Sequence, residues 1–268
     1  MIDHGKLNVL GVRVNAVDYS AAVAKIITAA QESQPLAVSA LAVHGVMTGV
    51  LDETHRYRLN HCDLIVPDGQ PVRWALRWLH GKKLPDRVYG PTLMQHVCRE
   101  AARQGLPIFL YGSTEETLRQ LQQRLVAQHP GLNIAGTRPS AFRRFTAAER
   151  DAAVAEIRAS GAQIAFVGLG CPRQEVFVFE MRSLLSMPLL AVGAAFAFHA
   201  GILPQAPPAL QRVGLEWAYR LLREPRRLWK RYLFLNPLYL ILLGLQKIKL
   251  WNSAGGLGQP PREELRYG

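Results

Sequence analysis

The chain has 268 residues, 49% hydrophobic and 19% charged, with a formal net charge of +12. That balance excludes an intrinsically disordered chain and suits one α/β domain with an appendage. Three widely spaced cysteines, Cys62, Cys98 and Cys171, exclude a disulfide framework and form no zinc-binding pattern, so a reducing compartment is expected.

Short β-rich runs alternate with longer amphipathic stretches. In chain order these are a strand over Asn8–Val14, a helix over Tyr19–Gln31, and strands over Leu36–Val43 and Leu64–Val66. Then come a helix over Pro91–Gln104, a strand over Ile108–Tyr111, a helix over Glu115–His129, a strand over Asn133–Thr137 and a helix over Ala147–Ala159. Strands over Ile164–Gly168 and Leu189–Val192 close the series; both are almost continuously apolar, as strands buried on two faces are. The alternation predicts an α/β, Rossmann-like fold: a largely parallel sheet with helices on both faces. Glycines follow the last two strands, and ligands of such sheets bind at the carboxyl ends of strands.

The pattern changes after Gly201. Pro204, Pro207 and Pro208 mark an elbow, and beyond it helices are broken at Glu224-Pro225 and Asn236-Pro237, with Asn236 expected as an N-cap. From Gly201 onward eleven Lys and Arg residues face four acids, so more than half of the net charge sits in this quarter of the chain. Three units are expected: an α/β domain over 1–201, a basic and apolar helical appendage over 202–252, and a polar, glycine-rich tail over 253–268 without fixed structure. No apolar run nears the roughly 20 residues of a transmembrane helix, and the first residues lack a charged-then-apolar leader, so a cytoplasmic protein is expected.

Five segments stand out for their chemistry. Asp68 follows a strand inside Pro67-Asp68-Gly69; it is placed to act as a general base, or to make a plain turn. Arg87, in Asp86-Arg87-Val88-Tyr89-Gly90-Pro91, precedes a helix start and suits a phosphate clamp, or an ordinary surface cation. The run Gly168-Leu169-Gly170-Cys171-Pro172-Arg173-Gln174-Glu175 leads a buried strand through glycines into a helix, which lets backbone N–H groups approach a diphosphate. It is neither a Walker motif nor a dinucleotide fingerprint. Arg220, Arg223, Arg227, Lys230 and Arg231 share one helical arc of about 100° and suit diphosphates or anionic lipid. Pro237–Trp251 is apolar and ends in Lys247, Lys249 and Trp251, as an interfacial or a core helix would. No metal is expected, because the histidines are scattered without ligand spacing.

Four of these stretches, in this order, resemble the WecG/TagA/CpsF glycosyltransferase family over about Gly11 to Tyr232. They are Cys62-Asp63-Leu64 leading to Pro67-Asp68-Gly69; Asp86 to Gly90; Gly168 to Glu175; and Ala206-Pro207 through Gly214-Leu215-Glu216-Trp217 to Glu224-Pro225-Arg226-Arg227-Leu228. The resemblance implies inverting transfer, without metal or other cofactor, of a sugar from a UDP-sugar to a polyprenyl-diphosphate-linked acceptor. That activity would sit at the anionic inner face of the membrane, in cell-surface polysaccharide or teichoic-acid-type synthesis. It makes Asp68 the general base and Gln174 a second catalytic-site residue. Ser39, Arg87, Gly168, Gly170, Glu175, Arg220, Arg223 and Arg227 become substrate-binding residues.

Departures from the family pattern at Leu41, Ala197 and Gln205 leave the sugar open among N-acetylmannosamine, its uronic acid and glucose. They also motivate an alternative, a non-catalytic nucleotide-sugar-binding protein at the membrane surface. Nucleic acid is not an expected partner, since no recognition motif accompanies the charge. Self-association is left open.

Overall fold

A computed structural model describes residues 1–251 and 256–268; residues 252–255 and the side chains of Arg227, Lys230 and Arg231 lie outside the described residues. The chain opens with an antiparallel hairpin, β1 (Asp3–Val9) and β2 (Val12–Val17). The single strand expected over Asn8–Val14 is therefore two strand ends and the turn between them. Leu10 and Gly11 both take positive φ, 55° and 86°. Two such residues make the tight turn whose twist matches paired strands, and the apolar Leu10 conceals it in the sequence.

The rest follows as α1 (Tyr19–Gln31), β3 (Leu36–Leu41), α2 (Val43–Leu51), α3 (Glu53–Asn60), β4 (Leu64–Pro67), α4 (Gln70–His80), α5 (Gly90–Gln104), β5 (Ile108–Gly112) and α6 (Glu115–Gln128). Next are β6 (Ile134–Arg138), α7 (Ala147–Ala159), β7 (Ile164–Gly168), α8 (Arg173–Met181), β8 (Pro188–Ala191) and α9 (Ala195–His199). The six strands β3–β8 form one parallel sheet in the order β4-β3-β8-β7-β5-β6. The expected Rossmann-like α/β fold is the one observed.

Local chemistry accounts for where the helices begin. Asp18 caps α1 by accepting from Ala21 N, Thr114 caps α6 from Thr117 N, and Thr146 with Glu149 forms a reciprocal capping box on α7. Period-two alternation then divides the central strands between two cores. Ala165 and Val167 of β7, with Leu189 and Ala191 of β8, join the core beneath α2, α4 and α8. Ile164, Phe166 and Leu190 join the core under α1, α5 and α6. The sheet edge at β4 is covered by the hairpin, where buried Asn15 Oδ1 accepts from Ile65 N at 2.8 Å.

Beyond the elbow lie α10 (Pro208–Arg212), α11 (Glu216–Arg223), α12 (Pro225–Lys230), a π-helical turn over Arg231–Leu235 and α13 (Asn236–Lys247). The chain runs from the π-turn straight into α13, so Asn236 is its first residue and Leu235, not Asn236, takes the N-cap position. Helix α13 packs on the domain. Its Tyr239 and Leu243 are buried in the first core, and Tyr239 Oη donates to Pro71 O at 3.2 Å. Residues 256–268, expected without fixed structure, run across the domain surface: Gln259 N donates to Glu53 O, and Leu265 N and Arg266 N donate to the Glu180 carboxylate.

Candidate active site

Two cavities meet at the carboxyl end of the sheet. The larger, about 690 Å³, is a cleft lined by the ends of β3, β7 and β8 and by the start of α8. The smaller, about 120 Å³, lies between the domain and the C-terminal helices, against Trp217, Tyr232 and Asn236. Four residues border both: Ala42, His44, Asp68 and Arg220. His44, at the start of α2, was not singled out by its sequence context; its only signal is its place just after the end of β3.

Asp68 sits past the end of β4, where Gly69 begins α4. Its Oδ1 accepts from Gly90 N at 2.6 Å, which ties the Pro-Asp-Gly loop to the start of α5. Burial pushes this carboxyl up to about 6, against the opposing pull of the Arg87 cation and the Gly90 N–H. Such a value suits a base working near neutral pH.

The glycines shape the cleft floor. A Cβ on Gly168 would come within 2.6 Å of the Phe196 ring, and one on Gly112, which pairs with it across β5 and β7, within 2.9 Å of the Gly168 carbonyl carbon. Gly170 has φ 78°, which lets the chain turn from β7 into α8. Gln174 and Glu175 are buried at the cleft wall. Glu175 Oε1 accepts from Gln174 Nε2 at 2.8 Å and from Ser39 Oγ at 3.1 Å, and burial pushes its carboxyl up. Gln174 Oε1 is buried and has no hydrogen-bond partner among the described residues, an acceptor left unsatisfied at the cleft wall.

The remaining expected residues are placed differently. Ser39 is fully buried beneath the cleft floor and does not line it; it holds Glu175. Arg87 is buried and already paired, its Nη2 2.6 Å from Glu216 Oε2 and 3.0 Å from Gln211 Oε1. Tyr89 Oη donates to the other Glu216 oxygen at 3.1 Å. Arg87 therefore clamps α10 and α11 to the domain, beside Asp68, and no sequence pattern could name a partner 129 positions away. Arg220 borders both cavities, with its guanidinium 5.7 Å from the Phe198 ring centre. Arg223 lines neither cavity and lies over the Tyr219 ring. The Arg227 side chain lies outside the described residues. Leu41 and Ala197 both line the cleft.

A comparison with protein families adds an independent finding. The profile of the "Glycosyl transferase WecG/TagA/CpsF family" matches residues 7–253. That span covers nearly the whole chain, both cavities included, and the protein therefore belongs to the WecG/TagA/CpsF glycosyltransferase family.

Proposed function

We propose that this glycosyltransferase of cell-surface polysaccharide synthesis moves a hexose or N-acetylhexosamine from a UDP-sugar to a polyprenyl-diphosphate-linked acceptor, with inversion. The observation that carries the reading is Asp68 at the junction of a large and a small cavity. The cleft at the strand ends takes the nucleotide-sugar, and the small cavity under the C-terminal helices takes the acceptor's reacting end. Asp68 accepts the proton of the acceptor hydroxyl. The hydroxyl oxygen bonds to the anomeric carbon from the face opposite the leaving group, and the bond to UDP breaks as UDP departs with its electron pair. Arginines stabilise the charge that develops on UDP, and Arg220 borders both cavities.

The outer surface of the C-terminal helices supports a membrane-bound acceptor. Leu240 and Ile241 on α13 are 63% and 61% exposed, and Leu233, Phe234 and Leu250 are likewise exposed. Among the described residues no helix is long and apolar enough to cross a membrane. An exposed apolar face flanked by basic residues instead suits the interface of an anionic bilayer. Leu240→Ser with Ile241→Ser should lower binding to phosphatidylglycerol vesicles by about ten-fold or more in a sedimentation assay, from the lost apolar burial. Tm should hold, because neither side chain is in the core. Unchanged vesicle binding would place the membrane contact elsewhere.

The reaction is tested by UDP release from a panel of UDP-sugars in EDTA, with and without a short-chain polyprenyl-diphosphate-sugar. Acceptor-dependent release from one donor is expected. UDP binding without release from any donor would favour the non-catalytic reading, which the apolar lining at Leu41 and Ala197 motivates.

A further inference from the structure

We infer that Arg173 binds the diphosphate of the ligand in the large cleft, and that Tyr267 is the positioning residue that holds Arg173 in place. The inference rests on the nucleotide-sugar reading of that cleft and adds to it a second cation and a segment beyond the family match, which ends at residue 253.

Arg173 is the first residue of α8 and lines the cleft just after the glycine turn. Among the described residues no carboxylate pairs with it. Arg87, by contrast, already holds Glu216. A guanidinium that lacks a counter-ion, at a cleft wall made of glycine backbone, is the group a diphosphate would neutralise.

A long arginine on the rim loses side-chain entropy when it binds, so whatever restrains it in advance raises affinity. The Arg173 guanidinium lies 5.6 Å from the Tyr267 ring centre, within cation–π range. Tyr267 is itself held on both sides. Leu265 N and Arg266 N donate to the two Glu180 oxygens at 2.8 and 3.0 Å. Phe145 N donates to Arg266 O at 2.7 Å, and Gly268 N to Arg143 O at 3.1 Å. Ser140 Oγ donates to Gly268 O at 2.7 Å. Further back, Gly258 lies so close to α3 that a Cβ on it would meet Tyr57 N at 2.6 Å. These bonds also brace the loop that carries Phe142, a second lining residue of the cleft. One segment thus supports two rim residues from outside.

Isothermal titration of the full chain with UDP tests both roles. Arg173→Ala is expected to weaken binding by about ten-fold or more, as loss of a charge-assisted contact does. Tyr267→Ala is expected to weaken it by roughly three- to five-fold. Tyr267→Phe, which keeps the ring face, should bind as the wild type does. The double variant Arg173→Ala with Tyr267→Ala should bind no worse than Arg173→Ala alone. Wild-type affinity in Arg173→Ala, equal losses in Tyr267→Ala and Tyr267→Phe, or additive losses in the double variant would each overturn the inference. A second readout needs no ligand: the Arg173 Nε–Hε NMR order parameter should fall in Tyr267→Ala. Unchanged order overturns the positioning role. A wild type that does not bind UDP, with order still lost in Tyr267→Ala, would overturn the diphosphate role and the nucleotide reading together while supporting the positioning contact.

Discussion

Asp68→Asn is expected to lower the kcat of acceptor-dependent UDP release by about 10²- to 10⁴-fold, the usual contribution of a general base, with UDP affinity close to that of the wild type. Asn keeps an oxygen to accept from Gly90 N, so the loop between β4 and α4 should hold its shape. It cannot take the acceptor's proton. In the wild type, kcat/KM should fall as pH drops through about 6, where burial sets this carboxyl, and that acid limb should vanish from the residual activity of the variant.

Stability should move the other way. The folded protein binds a proton at Asp68 more tightly than the unfolded chain does, whose carboxyl titrates near its ordinary value of 3.8. Stability is therefore lost as pH rises from that value to about 6, and the loss is complete above it. Asn removes this cost, so the Tm at pH 7.5 should rise by a few degrees. Near-normal turnover in Asp68→Asn would remove Asp68 from the base role.

Arg87→Ala is expected to cost about 3–5 kcal/mol, because it leaves the Glu216 carboxylate buried without its cation. The pair joins the loop before α5 to α11, so the loss should be local first. Limited proteolysis between residues 202 and 235 should accelerate before the parallel sheet melts. Replacing both partners with apolar residues of similar volume, Arg87→Met with Glu216→Leu, should recover most of that stability, since no charge is left buried. Activity separates the two roles of Arg87. If it only docks the helices, the double variant regains transfer along with stability. If it also contacts the diphosphate beside Asp68, transfer stays low in the restored fold.

Much of this architecture is legible locally. Alternation of apolar runs and amphipathic stretches identifies a largely parallel sheet and all six of its strands, because strands buried on both faces and helices buried on one have different periods. It also offers a seventh strand over Asn8–Val14 that is a hairpin turn. Caps at Asp18, Thr114 and Thr146 are written in the few residues they serve. Glycines after β7, and Pro225 between α11 and α12, mark bends that other residues resist. The family assignment also rests on linear motifs, since each keeps its spacing in the sequence.

Other features exist only where distant segments meet. Asp68 becomes an unusual acid because the fold buries it, which outweighs the opposing pull of the nearby Arg87 cation. Arg87 pairs with Glu216 across 129 positions, and Ser39 reaches Glu175 across 136, below the cleft instead of inside it. His44 borders both cavities because they converge at the start of α2. Residues 256–268 look unstructured by composition, yet they are ordered by backbone hydrogen bonds to Glu53, Glu180, Arg143 and Phe145. Backbone groups carry no side-chain signature. Composition and periodicity therefore determined the layers of this protein, while tertiary packing decided which charges are paired and which are left open to a ligand.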